Sequence, residues 1–542
     1  MTDRQNIEMA AANDTKQADI DTEDIEAIKA SHVTGSDKAA QLLREAGHTV
    51  VVTPEDDKRI LRAVDLRILP IILVVYCLQS LDKTSLAYVS IFGLIQDTNL
   101  KGQEYSWLGA IVYVAQLIWQ PVIAYFLVKF PIGKFIGVMV LLWGATLCCM
   151  AAAKDFGGLM ATRFLLGTFE ASVAPTFVAI VQMWYRRAEQ TNRNAAWYSM
   201  LGVVNVLGSL LTYGLGHVKS SSLRPYQIVF LFCGAITVAF AFVVIIFLPD
   251  SPVSARFLKG DDKLKSIERL RMNQQGISSG QWRWDHCREA ALDLKTWLWF
   301  CLITAIAIPS GGITTFGPLI VKTFGYDSFQ TILFNMPFGA VQFVATLGSA
   351  WAATHWKMKS PLIAALCIPP IMGISILMAI PHNADHRAVL LFAYYITSVY
   401  PAISPLIYSW SGANTAGDTK RKVTTAVLFI GQSVGNIIGP NLYKTTEAPG
   451  YARGLKSNLA MFVLVAVLAG AGAGLIFALN KKHERERVRV GKAAKVEDLS
   501  MATDRHLRKE GEAVNQLDAG GVGERAFEDL GDLSNEDFIY VY

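Results

Sequence analysis

ILPIILVVYCLQSLDKTSLAYVS, Ile68–Ser90, is the stretch whose reading decides the fold. From Ile68 to Ser80 it is almost wholly apolar, and after Asp82 and Lys83 it resumes as SLAYVSIFGL, Ser85–Leu94. About 20 apolar residues in a helix cross the hydrocarbon core of a bilayer, so each half is too short and the whole is long enough. Charges at membrane depth are costly and are kept where they pair or face a water-filled path. One reading ends the helix at Gln79 and leaves Asp82 and Lys83 at the interface. A broken or tilted helix bordering a central cavity accounts for both apolar halves. Neighbouring residues on a helix do not face each other, so Asp82 and Lys83 are expected to have different partners.

The same kind of segment recurs along the chain. Its 542 residues are 52% hydrophobic and only 18% charged, where a soluble domain carries about 25% charge. The net charge of +5 is small and its contributors are mixed in sign, which excludes nucleic acid as an expected partner. The opening residues are polar and acidic, without the basic and apolar regions of a secretory signal, so the amino terminus is expected in the cytosol. The seven cysteines fit neither a disulfide framework nor a zinc site and read as reduced thiols. No P-loop occurs, which excludes ATP-driven transport by this chain alone. No cofactor is expected.

Twelve spanning helices are predicted, near 67–90, 106–127, 133–153, 158–184, 195–217, 226–248, 297–319, 329–353, 360–380, 388–410, 423–443 and 457–480. The predicted domains are a polar leader 1–66, a six-helix bundle 67–248, a charged central loop 249–296, a second six-helix bundle 297–480 and a polar tail 481–542. Leader and tail lack apolar runs and are expected to be disordered or loosely helical. With the amino terminus inside, the inside loops carry Lys129, Lys134, Arg186, Arg187, Arg193, Lys357, Lys359, Lys420, Arg421 and Lys422, in agreement with the positive-inside rule. The last outside loop, with Lys444, Arg453 and Lys456, is the exception.

The polar residues inside these segments are the site candidates. Arg163 and Glu170 in helix four are seven apart, on nearly one face and about 10 Å apart along the axis. Glu170 falls near mid-membrane, where a carboxylate that can be neutral or charged according to its access to water would suit proton coupling; a static pair with Lys83 or Arg163 is the plainer possibility. Pro175, five residues on, removes a backbone bond and can loosen the helix. Tyr113 and Gln116 share a face of helix two with Gln120. In helix seven, IPSGGITTFGP, Ile308–Pro318, suggests a break that would place Thr314 beside a cavity. Gln342 in helix eight, Tyr394 in helix ten, Asn205 in helix five and Asn436 in helix eleven are further candidates for substrate contact. Gly431, Gly435 and Gly439, at i, i+4 and i+8, make a smooth stripe for close approach of another helix. His382 and His386 sit in a short loop and read as solvated rather than metal-binding. The rest of the chain holds no nucleophile–base constellation, so an enzyme is not expected.

Six plus six helices around a long middle loop is the layout of the major facilitator fold: all-α, two six-helix bundles with a cytosolic central loop. LDKTSLAYVSIFGL in helix one, RFLLGTFEASVAPTF in helix four, LPDSP at Leu248–Pro252 and GNIIGPNLYKTTEAPGY at Gly435–Tyr451 resemble the anion:cation symporter family of the major facilitator superfamily, and most of all its fungal allantoate permease branch. GQWRWDHCREAALDLKTW, Gly280–Trp297, echoes that family's middle loop. The resemblance runs from about Leu66 to Asn480. It implies proton-driven import of a small organic anion of allantoate, vitamin or carboxylate type. It implies proton binding at Asp82 and Glu170, with Lys83 and Arg163 attracting the anion or balancing the acids. Two departures stand out. Ser85 replaces a common Asn, and AYFLVKFPIGKF, Ala124–Phe135, lacks the Asp of the superfamily's usual loop between helices two and three. An exporter of a secondary metabolite and a transporter-like nutrient sensor are the alternatives. A monomer in the plasma membrane, with both termini cytosolic, is the expected setting.

Overall fold

The computed structural model describes residues 52–91, 94–98, 100–101, 104–216, 223–270, 273, 281–326, 328–443, 447, 450–492 and 529–542. Among them, ten helical segments are long and apolar enough to cross a membrane. Two more, α1 at Pro54–Ile91 and α11 at Ser328–Trp356, have the necessary length. In chain order the first half continues with α2 Glu104–Lys129, α3 Ile132–Met150, α4 Phe156–Glu170, α5 Val173–Trp184, α6 Arg187–Gly216 and α7 Pro225–Phe247. The central loop holds α8 Asp261–Glu268 and α9 Trp284–Leu292. The second half comprises α10 Leu294–Thr323, α11, α12 Ser360–Leu366, α13 Ile368–Ala379, α14 Arg387–Thr397, α15 Ile403–Ala413, α16 Asp418–Asn441 and α17 Ala452–Arg489. The pairs α4–α5, α12–α13 and α14–α15 each make one span.

Local chemistry sets several ends. Asp155 accepts the backbone N–H of Gly158 at the start of α4 at 3.0 Å. Asp250 of the LPDSP corner reaches across to accept the N–H of Lys134 in the first turn of α3 at 3.1 Å. Large apolar side chains such as Val138, Phe242, Ile246, Val344, Val467 and Phe477 point outward, as a lipid-facing surface requires. Inside, the glycine stripe of α16 lies on α10: a Cβ on Gly435 would come within 2.5 Å of the Ala307 Cβ and 2.8 Å of the Thr304 carbonyl. The two halves meet chiefly through α6 on α11 and α2 on α16.

Four points correct or extend the sequence reading. First, α1 neither stops at Gln79 nor breaks; it is continuous through Asp82 and Lys83. Its first turns also take in residues assigned to the leader, because Ile60, Val64 and Ile68 form one buried stripe. Second, α10 runs unbroken past Pro309, Gly311 and Gly312. Third, the central loop, read from sequence only as charged, is anchored to the bundle: Arg269 pairs with Asp57 of α1 at 2.8 Å and with Glu189 of α6 at 2.7 Å. Fourth, the tail is not solvated where it is described. α17 continues to Arg489, and residues 529–542 are packed against the bundle, with Asp532, Phe538, Tyr540 and Val541 buried. The leader from Met1 to Val51 and residues 493–528 lie outside the described residues. The end of the bundle that carries α8, α9 and residues 529–542 is called the loop end below.

Candidate functional site

The site builds up from α1, α2 and α4. Asp82, Arg163 and Glu170 are 1%, 3% and 1% exposed, so the three sit inside protein rather than in lipid. Lys83 and Arg163 are the cations acting on Glu170, and Asp82 feels Glu170, Arg163 and Lys83. Tyr113 joins the group from α2, facing Glu170 and Arg163. The Trp143 side chain lies beside the Asp82 carboxylate and that of Gln79 beside the Glu170 carboxylate, but none of the four oxygens has a hydrogen bond of ordinary geometry among the described residues. A buried carboxylate that rests on neighbouring charges and loosely placed donors is receptive to a proton or to a change in its neighbours.

The geometry at the α4–α5 junction follows from Pro175. A proline cannot donate to the carbonyl four residues back, which here is Ala171. That freed carbonyl accepts the Gln120 side-chain N–H of α2 at 3.2 Å. The neighbouring Glu170 carbonyl accepts from Gln79 of α1 at 3.3 Å. The turn at Ala171–Ser172 is therefore tied to both α1 and α2 immediately beside the Glu170 side chain.

Tyr113 also lies within electrostatic reach of Tyr400, which sits beside Ser310 and Thr314 of α10. This links Thr314 to the charged group across the interface between the halves. The other candidates lie elsewhere. Asn205 of α6 donates to Gln342 of α11 at 3.0 Å, joining the two halves directly. Tyr394 donates to Asn335 at 3.0 Å and stacks on Phe338. Asn436 donates back to its own helix at Gln432 and packs against Gly311. Gln116 is buried on α2.

Sequence reasoning missed an aromatic layer six residues, or about 9 Å of helix, toward the loop end from Asp82. Tyr76 packs edge-on to Trp197 with ring centres 4.7 Å apart, and Trp197 stacks on Tyr408 of the second half at 6.0 Å. Tyr198 packs against both Tyr76 and Tyr408. Tyr408 donates to Gln432 at 2.6 Å, and Asn194 bonds Ser409 at 3.1 Å. Each aromatic lies in an apolar run, so no local signal separates it from ordinary core. Together the layer and these bonds close the interface between the halves on the loop side of the charged group.

Comparison with known proteins decides the family. Residues 72–440 match the family model of the Major Facilitator Superfamily. The chain belongs to the Major Facilitator Superfamily. It is a multi-pass membrane transporter of the twelve-helix major facilitator fold, and its relatives are transporters rather than enzymes. The thiamine pathway transporter THI73 of Saccharomyces cerevisiae is 32% identical over 485 residues, covering 89% of this chain and 86% of the relative. The allantoate permease of the same yeast is 26% identical over 558 residues, covering 99% and 97%. The proton:xylose symporter XylE superposes with a TM-score of 0.57 at 13% identity, covering 74% of this chain and 94% of the other, a likeness of fold alone.

Proposed function

We propose that this transporter imports a small organic anion together with protons, by alternating access between the bundles 67–248 and 297–480. The carrying observation is a set of two acids and two bases in which Asp82, Glu170 and Arg163 are buried and Lys83 is partly buried. Asp82 and Glu170 formally balance Lys83 and Arg163. An entering monoanion leaves the enclosed site one charge short, and one proton on a carboxylate restores neutrality. Both ligands therefore favour each other's binding, and the coupling is reciprocal. In this reading Asp82 and Glu170 accept the protons, Lys83 and Arg163 hold the substrate carboxylate, and Tyr113, Gln116 and Thr314 offer polar contacts. Asn205, Gln342, Tyr394 and Asn436 position helices through the bonds they already make.

The allantoate permease relative names a carboxylate substrate and supports the substrate class. The basic loops support a cytosolic loop end, with leader, central loop and tail inside and the plasma membrane as the site of action. The test is uptake of labelled ureides, vitamins and small carboxylates by expressing cells, at acidic and neutral outside pH, with and without a protonophore. Acid-stimulated, protonophore-sensitive accumulation of one anion is expected. Glu170→Gln should abolish that accumulation. Accumulation that ignores the protonophore, or that survives Glu170→Gln, would overturn the coupling.

A further inference from the structure

At the loop end, residues 529–542 occupy a fitted peptide site. Asn480 exchanges two hydrogen bonds with the Tyr540 backbone, both 3.0 Å. Asn414 does the same for Val541, donating at 2.9 Å and accepting at 2.7 Å. Trp410 also donates to the Val541 carbonyl at 2.9 Å, and the backbone N–H of Lys359 donates to Tyr542 at 3.0 Å. His483 contacts the Phe538 carbonyl at 3.1 Å and Arg487 donates to that of Glu536 at 2.8 Å. The side chains are read too. Asp532 is fully buried between Lys295 and Lys420, at 2.5 and 2.7 Å, and accepts from Tyr540 at 3.0 Å. Burial works against its charge, yet the two lysines hold its carboxyl well below the usual carboxylate range.

All these partners belong to the second half or to residues leading into it. Among the described residues, Arg187 and Ala188 of α6 contact the peptide from the first half. The Arg187 guanidinium lies 4.2 Å over the Phe538 ring and donates to the Ile539 carbonyl at 3.0 Å. Val541 packs between Ala413 of α15 and Ala188 of α6. The asymmetry matters: many bonds fix the peptide to one half, and few touch the other.

We propose that residues 529–542 are a built-in acidic–aromatic ligand of the second half and supply the latch that closes the loop end. The peptide stays docked through Asn414, Asn480, Lys295 and Lys420. The latch is Phe538 and Val541 against Arg187 and Ala188, and it breaks each time the halves part at this end. The latch role rests on the alternating-access reading; the peptide site does not. The site would take the same peptide in trans, or another of its chemistry: an acid, then an aromatic run with free backbone edges.

The test uses the chain in nanodiscs, with native cysteines replaced and nitroxides on Lys129→Cys and Met358→Cys, both exposed positions. Truncation before Asp529, and separately Phe538→Ala in the full chain, should each add a longer-distance population. For Phe538→Ala the open-to-closed ratio should rise roughly tenfold, the scale of one partly desolvated cation–π contact. A fluorescent synthetic peptide of residues 529–542 should bind the truncated chain saturably and restore the short distance. An Asp532→Asn peptide should bind at least about tenfold more weakly. Distances unchanged by both truncation and Phe538→Ala overturn the latch. A peptide that does not bind overturns the site. No substrate or proton gradient enters these measurements, so their failure is separate from failure of the anion–proton reading.

Discussion

Gly202→Ala is the most direct probe of how the halves meet. Gly202 on α6 and Gly339 on α11 form a backbone-to-backbone contact, and a Cβ on Gly202 would lie 2.6 Å from the Gly339 carbonyl oxygen and 2.9 Å from the Phe343 nitrogen. Ordinary contact begins at 3.4 Å, so the helices must separate by about 0.8 Å. One turn along, the Asn205–Gln342 bond of 3.0 Å would stretch by the same amount, past hydrogen-bonding range. Overpacking by one methyl costs about 1–3 kcal/mol, and an interhelical bond within a membrane protein about 0.6 kcal/mol. Their sum, roughly 2–4 kcal/mol, shifts a two-state equilibrium some 30- to 1,000-fold toward conformers with α6 and α11 apart. The nitroxide pair at positions 129 and 358, together with substrate uptake, reads this shift. Gly348→Ala is the matched control, since a Cβ there meets nothing within 4 Å on the same helix α11. If Gly202→Ala and Gly348→Ala gave the same distances and the same uptake, the contact on which this reasoning stands would be absent in the working protein.

Further expectations follow from other contacts. Asp250→Ala removes the acceptor for the Lys134 N–H and should lower thermal stability by about 0.5–2 kcal/mol, the range for a lost helix cap; Asp250→Asn should recover most of it in a melting experiment. Gly435→Leu must push α16 off α10, because even a Cβ meets Ala307 and Thr304; little folded protein is expected by size-exclusion chromatography. Pro175→Ala restores a donor to the Ala171 carbonyl in competition with Gln120, and should slow transport more than it weakens substrate binding when rates and affinities are measured separately. Asp532 has a lowered pKa when docked, so its contribution is present above the free carboxylate value near 4 and is lost as pH falls through the docked value. Peptide binding should therefore vary little through this group between about pH 5 and 8, and an affinity in that range that tracked Asp532 would contradict the paired geometry.

The helices and the charged group were legible because each leaves a local mark. An apolar run of bilayer length reads as a span, and Asp82, Lys83, Arg163 and Glu170 stand out as charges inside such runs. The pairing of Asn205 with Gln342 leaves none, since nothing in one helix says which other helix it touches. Helix seven shows how a local mark misleads. Pro309, Gly311 and Gly312 suggested a break, but the glycines serve packing: a Cβ on Gly311 would meet Asn436 at 3.0 Å, and one on Gly312 would meet Tyr443 at 2.6 Å. Small residues that permit bending also permit close approach, and a single sequence does not separate the two uses.

The tail misled for a different reason. SNEDFIYVY follows a long polar stretch, and polar composition predicts solvation when partners are unknown. Its partners Lys295, Asn414, Lys420 and Asn480 lie 60 residues or more away in the chain. Several of the inside-loop cations counted by the positive-inside rule prove to be buried: Arg187, Lys359, Lys420, Arg421 and Lys422 are all under 8% exposed. The same charges can orient the chain during insertion and afterwards be consumed by acids and carbonyls at the loop end. Lys420 shows the second use most clearly, because it faces Glu289, Asp293 and Asp532 at once, at 2.8, 2.9 and 2.7 Å. Replacing it with Met should leave the three carboxylates to Lys295, which pairs with Asp293 and Asp532. The repulsion falls on Asp532, the member supplied by the peptide, whereas Glu289 and Asp293 belong to α9 and the start of α10. Lys420→Met should therefore weaken peptide docking in the truncated chain by at least about tenfold while the bundle itself stays folded. Equal docking by the Met variant would mean that the backbone bonds of Asn414 and Asn480, and not the charges, hold the peptide in place.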